Sequence, residues 1–175
     1  MISLTGLSPT LVRAVDSYRS LVHPLWTSEC RGVVESVRPL NPGAAAIRIR
    51  TNGAWRAARP GQFVTLGVEI DGVRHQRCYS LTSVDGRDGA QIIEIGVRRI
   101  DGGVVSSHLT TRLRPGDVVH LDGPAGDFVL PDPLPPRLLL VTAGSGVTPI
   151  VAMLRSVAAG DAPTDVVVVH HAPTR

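Results

Sequence analysis

Three short segments carry residue types whose spacing suits ligands that bear phosphate. The first, Gly144-Ser145-Gly146-Val147-Thr148-Pro149, lies between an aliphatic run (RLLLVTA) and a helix-forming run (IVAMLRSVA). Backbone N–H groups at a helix N-terminus attract anions, so a loop in this position can hold a pyrophosphate. Thr148 reads as the N-cap and Pro149 as the first helical residue, which would fix the helix start where an anion needs it. The third glycine of the usual dinucleotide fingerprint is absent, and taken alone the loop suits an ordinary tight turn equally well. In the second segment, Arg77-Cys78-Tyr79-Ser80, strand alternation sends Arg77 and Tyr79 to one face. A permanent cation beside a flat amphipathic ring suits a ligand with both a phosphate and an aromatic system. The third, Gly102-Gly103-Val104-Val105-Ser106, offers a flexible backbone, N–H groups at a helix start and a hydroxyl, a second anion cradle. Taken singly, Arg77 also suits a surface ion pair and Ser106 a plain N-cap.

Other chemistries find little support. Cys30 and Cys78 have no companion cysteines, so they form neither a zinc pattern nor a four-thiolate iron–sulfur pattern, and no metal site is expected. His170 and His171 are neighbours on a strand and face opposite ways, while His23, His75, His108 and His120 stand apart, so all read as structural or surface residues. All 18 basic residues are arginines, dispersed along the chain, and the aromatic residues Tyr18, Trp26, Trp55, Phe63, Tyr79 and Phe128 lie far apart. A groove for single-stranded nucleic acid interleaves the two types, so nucleic acid is a poor partner. The net charge of +3 bears instead on the rate at which acidic small partners arrive.

The elements that must hold these segments follow from the pattern around them. With 43% hydrophobic and 19% charged residues, 175 residues suit one globular domain or two small ones. Residues 10 to 23 place Leu11, Val15, Tyr18, Leu21 and Val22 at helical spacing, and Pro24 stops the helix. From 31 to 130, short β-branched runs alternate with turns such as NPG, RPG and DG, which predicts a closed or sandwich-like antiparallel sheet. The stretch VVSSHLTTRL reads as a helix capping one end of it. Beyond PDPLPPR comes strand, glycine loop, helix and strand, one βαβ unit. Both of its strands are continuously aliphatic, so both faces expect cover that two strands and one helix do not supply. The nucleotide domain is thus expected to be incomplete in this chain. The longest purely aliphatic runs, Leu138 to Val141 and Val166 to Val169, fall far short of the roughly 18 residues that span a bilayer. The first residues lack the features of a secretion signal, and the expected compartment is the cytoplasm, with membrane association only through a partner.

Arg77-x-Tyr79-Ser80, Gly103-x-x-Ser106 and Gly144-x-Gly146-x-Thr148-Pro149, in this order, resemble the ferredoxin-NADP reductase superfamily over residues 30 to 175. Pro60-Gly61-Gln62-Phe63, Arg114-Pro115-Gly116-Asp117 and Gly123-Pro124-Ala125-Gly126-Asp127-Phe128 match further turns of that family. The N-terminal helix leading to Pro24-Leu25-Trp26 is similar to a subgroup of actinobacterial reductases that carry a C-terminal plant-type ferredoxin domain and feed oxygenases or fatty-acyl desaturases. The resemblance implies an N-terminal helical extension (1–28), a six-stranded Greek-key FAD-binding barrel (29–133) and a partial Rossmann-like NAD(P)-binding domain (134–175).

It also implies roles. Arg77 would bind the FAD pyrophosphate, Tyr79 would flank the isoalloxazine and ribityl chain, and Ser80 would hydrogen-bond near flavin N5, with Cys78 inside the same stretch. Ser106 and the amides of Gly103, Val104 and Val105 would hold phosphates, and Val97 and Arg98 would give backbone contacts on the adenylate side. Gly144, Ser145, Gly146 and Val147 would face the dinucleotide pyrophosphate, and Thr148 the nicotinamide. Ser80 and Thr148 are then the candidates closest to the chemistry. Arg175 falls where members preferring NADPH over NADH place a basic reader of the 2′-phosphate. The implied activity is that of an NAD(P)H-dependent flavoprotein reductase, with hydride passing to FAD and single electrons leaving toward a ferredoxin-type iron–sulfur or haem acceptor. The alternatives are a truncated, non-catalytic flavin or nucleotide-binding module, and a structural barrel in which the three segments coincide by chance.

Overall fold

The computed structural model describes residues 10, 28–86, 91–160 and 163–172. The helix expected over 10–23 and Arg175 lie outside the described residues, apart from Thr10. The chain order is β1 (Arg31–Asn41), β2 (Ala44–Thr51), β3 (Phe63–Ile70), β4 (Val73–Asp85), β5 (Ile92–Arg98), α1 (Val104–Thr111), β6 (Val118–Ala125), β7 (Arg137–Ala143), α2 (Val147–Ala159) and β8 (Asp165–His171). Strands β1 to β6 close into an antiparallel barrel in the order β1-β2-β5-β4-β3-β6, and β7 and β8 form a separate parallel pair. The expected six-stranded barrel followed by the start of an α/β unit is therefore what the chain forms.

Alternation drives the closure. Ile93, Ile95 and Val97 of β5 point inward and are buried while their neighbours are not, and they meet Ile47, Ile49, Val64, Leu66 and Leu81 in one core. Val105 and Leu109 of α1, with Leu113 just beyond it, join that core, so the helix packs into the barrel. The turn that matters most for the site is Asp71-Gly72, where φ is 52° and 77°. Two left-handed residues make the hairpin turn whose twist matches paired strands, and they set Ile70 opposite Val73. That register then places Val64 opposite Tyr79 and Phe63 opposite Ser80.

In the second unit, Ile150 and Met153 of α2 pack with Leu140, Leu138 and Val166 on one face of the β7–β8 pair. The other face carries Leu139 and Val141, 62% and 68% exposed, beside exposed Val167 and Val169. Only one face of the aliphatic pair is covered among the described residues. No helix of the described residues is long and apolar enough to cross a membrane.

Candidate functional site

The barrel opens at one seam. Strand β4 pairs with β3 from Val73 through Ser80, but with β5 only from Leu81 onward, where Leu81 stands opposite Ile95 and a bulge follows before Ser83. Strand β5 meanwhile continues through Gly96, Val97 and Arg98, paired with β2 on its other side. The two strands therefore splay, with Arg77 to Ser80 on one lip and Val97, Arg98 and the start of α1 following the other. Helix α1 touches both strands. An extra residue on one strand of an antiparallel pair bends that strand and re-aims its side chains, which is the physical origin of the seam.

Arg77 is exposed, its Nη1 donates to the Gln76 carbonyl at 2.7 Å, and among the described residues no carboxylate pairs with it. Tyr79 is half-buried against the barrel core. Burial pushes its phenol pKa up and the neighbouring Arg77 charge offsets only part of that, so the ring stays neutral with a hydroxyl able to donate or accept. Ser80 is half-buried beside it. Val97 is buried and Arg98 exposed.

On the opposite lip, α1 starts at Gly103 in an extended conformation with no side-chain cap and no acidic residue in its first turn. The first N–H groups of a helix have no intrahelical acceptor, so those of Val104, Val105 and Ser106 remain available to an anion. The Ser106 hydroxyl turns back into the loop, accepting from the Ile100 N–H at 3.1 Å and donating to the Gly103 carbonyl at 3.3 Å. It pins the turn that presents the amides. A Cβ on Gly103 would lie 2.5 Å from Ser106 Oγ and 3.0 Å from the Ile100 carbonyl, so only glycine lets this turn fold so tightly. Ile100 and Val104, 67% and 54% exposed, flank it with apolar surface.

The glycine loop departs from expectation in its capping. Gly144 to Gly146 form a 3₁₀ turn that runs directly into α2, so the cap is Gly146 and the helix begins at Val147. Thr148 is the second helical residue, and its hydroxyl donates to the Ser145 carbonyl at 2.7 Å. Pro149 is consequently third. It is tolerated there because that position, like the first, has no intrahelical acceptor for an N–H. Gly144 has φ 52°, and the buried Thr142 Oγ1 behind the loop has no hydrogen-bond partner among the described residues.

Two features carry no signal in the sequence. Arg155 of α2 reaches the barrel, its Nη1 donating to the Thr82 carbonyl at 3.0 Å and to Glu94 Oε1 at 2.8 Å. Gly61 lies beneath the same helix, where a Cβ would come within 2.5 Å of Met153 Cε. Both joints link elements distant in the chain, which local patterns do not report.

The cysteines differ in a way that can be measured. Burial, with a smaller contribution from Asp122, pushes the Cys30 thiol up to about 11, whereas Cys78 is exposed on β4 with its sulfur 3.5 Å from Thr65 Oγ1. A pKa near 11 leaves almost no thiolate at pH 8. Iodoacetamide at pH 8 is expected to label Cys78 and spare Cys30 in the native protein, with both labelled in urea. Peptide mass mapping of the two sites checks this, and equal native labelling would contradict the burial of Cys30.

An arginine with no ion pair among the described residues and a half-buried neutral phenol lie on β4, and the uncapped start of α1 with its tight glycine turn belongs to a helix that touches both β4 and β5. They supply a cation, a flat ring and backbone donors, which fits a cofactor that joins a pyrophosphate to aromatic rings, and FAD is such a cofactor. Residues 37–130 match the family described as oxidoreductase FAD-binding domain. The chain is 40% identical over 162 residues to an NADPH oxidoreductase of Mycobacterium tuberculosis, covering 91% of this chain and 43% of that protein. Among solved structures, it superposes with a TM-score of 0.70 and 26% identity on the flavohem-like FAD/NAD binding domain of nitric oxide dioxygenase from Vibrio cholerae, covering 83% of this chain and 63% of the other. An Amycolatopsis cytochrome P450 reductase gives a TM-score of 0.66 at 29% identity, covering 83% and 44%. The chain spans less than half the length of the M. tuberculosis relative. It belongs to the oxidoreductase FAD-binding domain family, with the fold of ferredoxin-NADP reductases.

Proposed function

We propose that the protein works as the flavin-binding part of an NAD(P)H-dependent reductase that delivers electrons to an iron–sulfur or haem acceptor of an oxygenase or desaturase system. The observation that supports this reading is the seam between β4 and β5, bordered by Tyr79, by an Arg77 with no ion pair among the described residues, and by α1 with its bare first turn. FAD bound there would supply acceptance of a hydride from nicotinamide and release of its electrons singly.

The chain's own residues do the rest. The Arg77 guanidinium and the amides of Val104 to Ser106 would hold the pyrophosphate, whereas the Gly103 N–H is already donated to the Ile100 carbonyl at 2.8 Å. Tyr79, held against the barrel core, lays a rigid ring along the flavin and keeps water from that side. Ser80 offers a hydroxyl beside it for hydrogen bonding near N5. Val97, whose side chain lies in the barrel core, and Arg98 would give backbone contacts on the adenylate side. Gly144, Ser145, Gly146 and Val147 would face the nucleotide pyrophosphate, and Thr148 the nicotinamide. The names of two similar proteins, an NADPH oxidoreductase and a cytochrome P450 reductase, support NADPH as donor and a haem or iron–sulfur acceptor. Residues 1–28, 29–133 and 134–175 are proposed as extension, flavin domain and nucleotide-binding part.

A second reading, a flavin-binding module without reductase activity, is favoured by the exposed outer face of the β7–β8 pair. One experiment separates the two. The purified protein, yellow and loaded with FAD, is mixed anaerobically with NADPH, then NADH. Bleaching of the flavin band, faster with NADPH, is expected. Bound flavin that neither nucleotide bleaches supports the non-catalytic module, and a colourless protein that ignores added FAD overturns both.

A further inference from the structure

We infer that Arg155, Glu94 and Thr82 form a positioning clamp that fixes the glycine-loop helix on the flavin barrel, and so sets how Thr148 stands relative to the β4 seam. This deepens the reductase reading and rests on it.

The geometry is specific. One nitrogen of Arg155 donates both to the Thr82 carbonyl at 3.0 Å and to Glu94 Oε1 at 2.8 Å. The same carboxylate oxygen accepts from Thr82 Oγ1 at 3.0 Å, and that hydroxyl also lies 3.0 Å from the Glu94 carbonyl. Helix α2, strand β4 and strand β5 thus meet at three side chains. The Glu94 side chain is only 14% exposed, whereas Arg155 is 49% exposed. Burial alone would raise the Glu94 pKa, but hydrogen bonds from Arg155 and Thr82, then the charges of Arg155 and Arg38, outweigh it and hold the carboxyl below its ordinary value. The group is therefore charged in the folded protein and needs its partners, because an uncompensated carboxylate at this depth is costly.

Position explains why the clamp bears on chemistry. Thr82 sits within the bulge between Leu81 and Ser83, where β4 leaves β5 and the seam opens. Its backbone carbonyl, freed from the regular ladder, becomes the acceptor for α2. Arg155 follows Thr148 by two helical turns, so the two lie on one stripe of α2, about 10 Å apart along its axis. Fixing Arg155 fixes the rotation of that stripe. With the clamp removed, α2 keeps its buried Ile150 and Met153 contacts and loses the restraint on its roll. Misplacement of a reacting group by about 1 Å can cost 10²-fold in rate.

The test reads three quantities in the FAD-loaded protein: FAD affinity, the anaerobic bleaching rate at saturating NADPH, and hydrogen exchange of the α2 amides. Arg155→Ala is expected to leave FAD affinity within about 2-fold, because Arg155 lies off the proposed flavin contacts, to slow bleaching about 10-fold or more, and to speed α2 exchange about 10-fold. Arg155→Lys should recover part of both effects, since a single nitrogen makes both bonds and an ammonium can do the same. Glu94→Gln, which removes the charge and keeps the shape, should reproduce the Arg155→Ala pattern more weakly and guards against a variant that fails to fold. Wild-type exchange and bleaching in both Arg155→Ala and Glu94→Gln would overturn the clamp and leave the reductase reading intact. A wild-type protein that NADPH does not bleach overturns that reading instead, and the exchange measurement still decides whether the clamp holds α2.

Discussion

Arg77→Ala is expected to weaken FAD binding about 100-fold, with the apoprotein melting at an unchanged temperature. In the free protein this guanidinium makes one hydrogen bond, to the carbonyl of the preceding residue, and no ion pair among the described residues, so its removal leaves no buried group without a partner. In the complex it would donate twice to the pyrophosphate, and two charge-assisted hydrogen bonds at about 1.5 kcal/mol each amount to roughly two decades of affinity. Arg77→Lys should fall between the two, because an ammonium lacks the planar fork that matches two phosphate oxygens. Flavin fluorescence quenching against FAD concentration measures all three proteins. The loss should shrink as salt rises, since one partner of the ionic contact is exposed. An Arg77→Ala protein that holds FAD as tightly as the wild type would remove Arg77 from the site and leave the first turn of α1 as its proposed phosphate contact.

What could be read in the sequence follows from how local each determinant is. The barrel strands show in the alternation of Ile93, Ile95 and Val97 and in turns such as Asp71-Gly72, because burial of one face and left-handed backbone are both set within a few residues. The grouping of Arg77 with Tyr79 is likewise a matter of period two. The seam itself is not, because the bulge after Leu81 exists only as a mismatch between β4 and β5 and leaves no mark on β4 taken alone. The helix cap is Gly146 and not Thr148 for a related reason. Threonine before proline is a familiar helix start, but the preceding glycines wind into a 3₁₀ turn that brings the helix forward to Val147. The Ser106 hydroxyl is bonded to Ile100 and Gly103, an arrangement set by the tight turn at Gly103 that the sequence does not announce. Arg155 and Glu94 meet only because α2 folds over the seam, and nothing in either neighbourhood announces the other.

Gly61→Val is expected to be strongly destabilising, lowering the melting temperature by about 10 °C. Gly61 has φ 103°, outside the range that a β-branched residue adopts. Its missing side chain is also a space filled from two directions. A Cβ there would overlap the Phe128 carbonyl oxygen and come within 2.5 Å of Met153 Cε. The Phe128 contact is with backbone in the segment just after β6, which cannot move without dragging Gln62, whose Nε2 donates to the Gly126 carbonyl at 3.1 Å. Backbone strain and overpacking together amount to roughly 3–4 kcal/mol, and in a chain of this size each kcal/mol shifts the melting temperature by about 2–4 °C. The two sources of clash separate in a double variant. Gly61→Ala with Met153→Ala clears the flexible Met153 neighbour and leaves the Phe128 carbonyl and the left-handed φ as they were. The second change should therefore rescue little or none of the loss, and its own cavity adds to the damage. Full recovery of the melting temperature would mean that Met153 alone requires glycine at this position and that the backbone of residues 126 to 128 yields freely. That result would also weaken the picture of α2 seated on a rigid rim, since the same turn continues into Gln62, whose carbonyl accepts from the Leu81 N–H at the head of the seam at 2.9 Å.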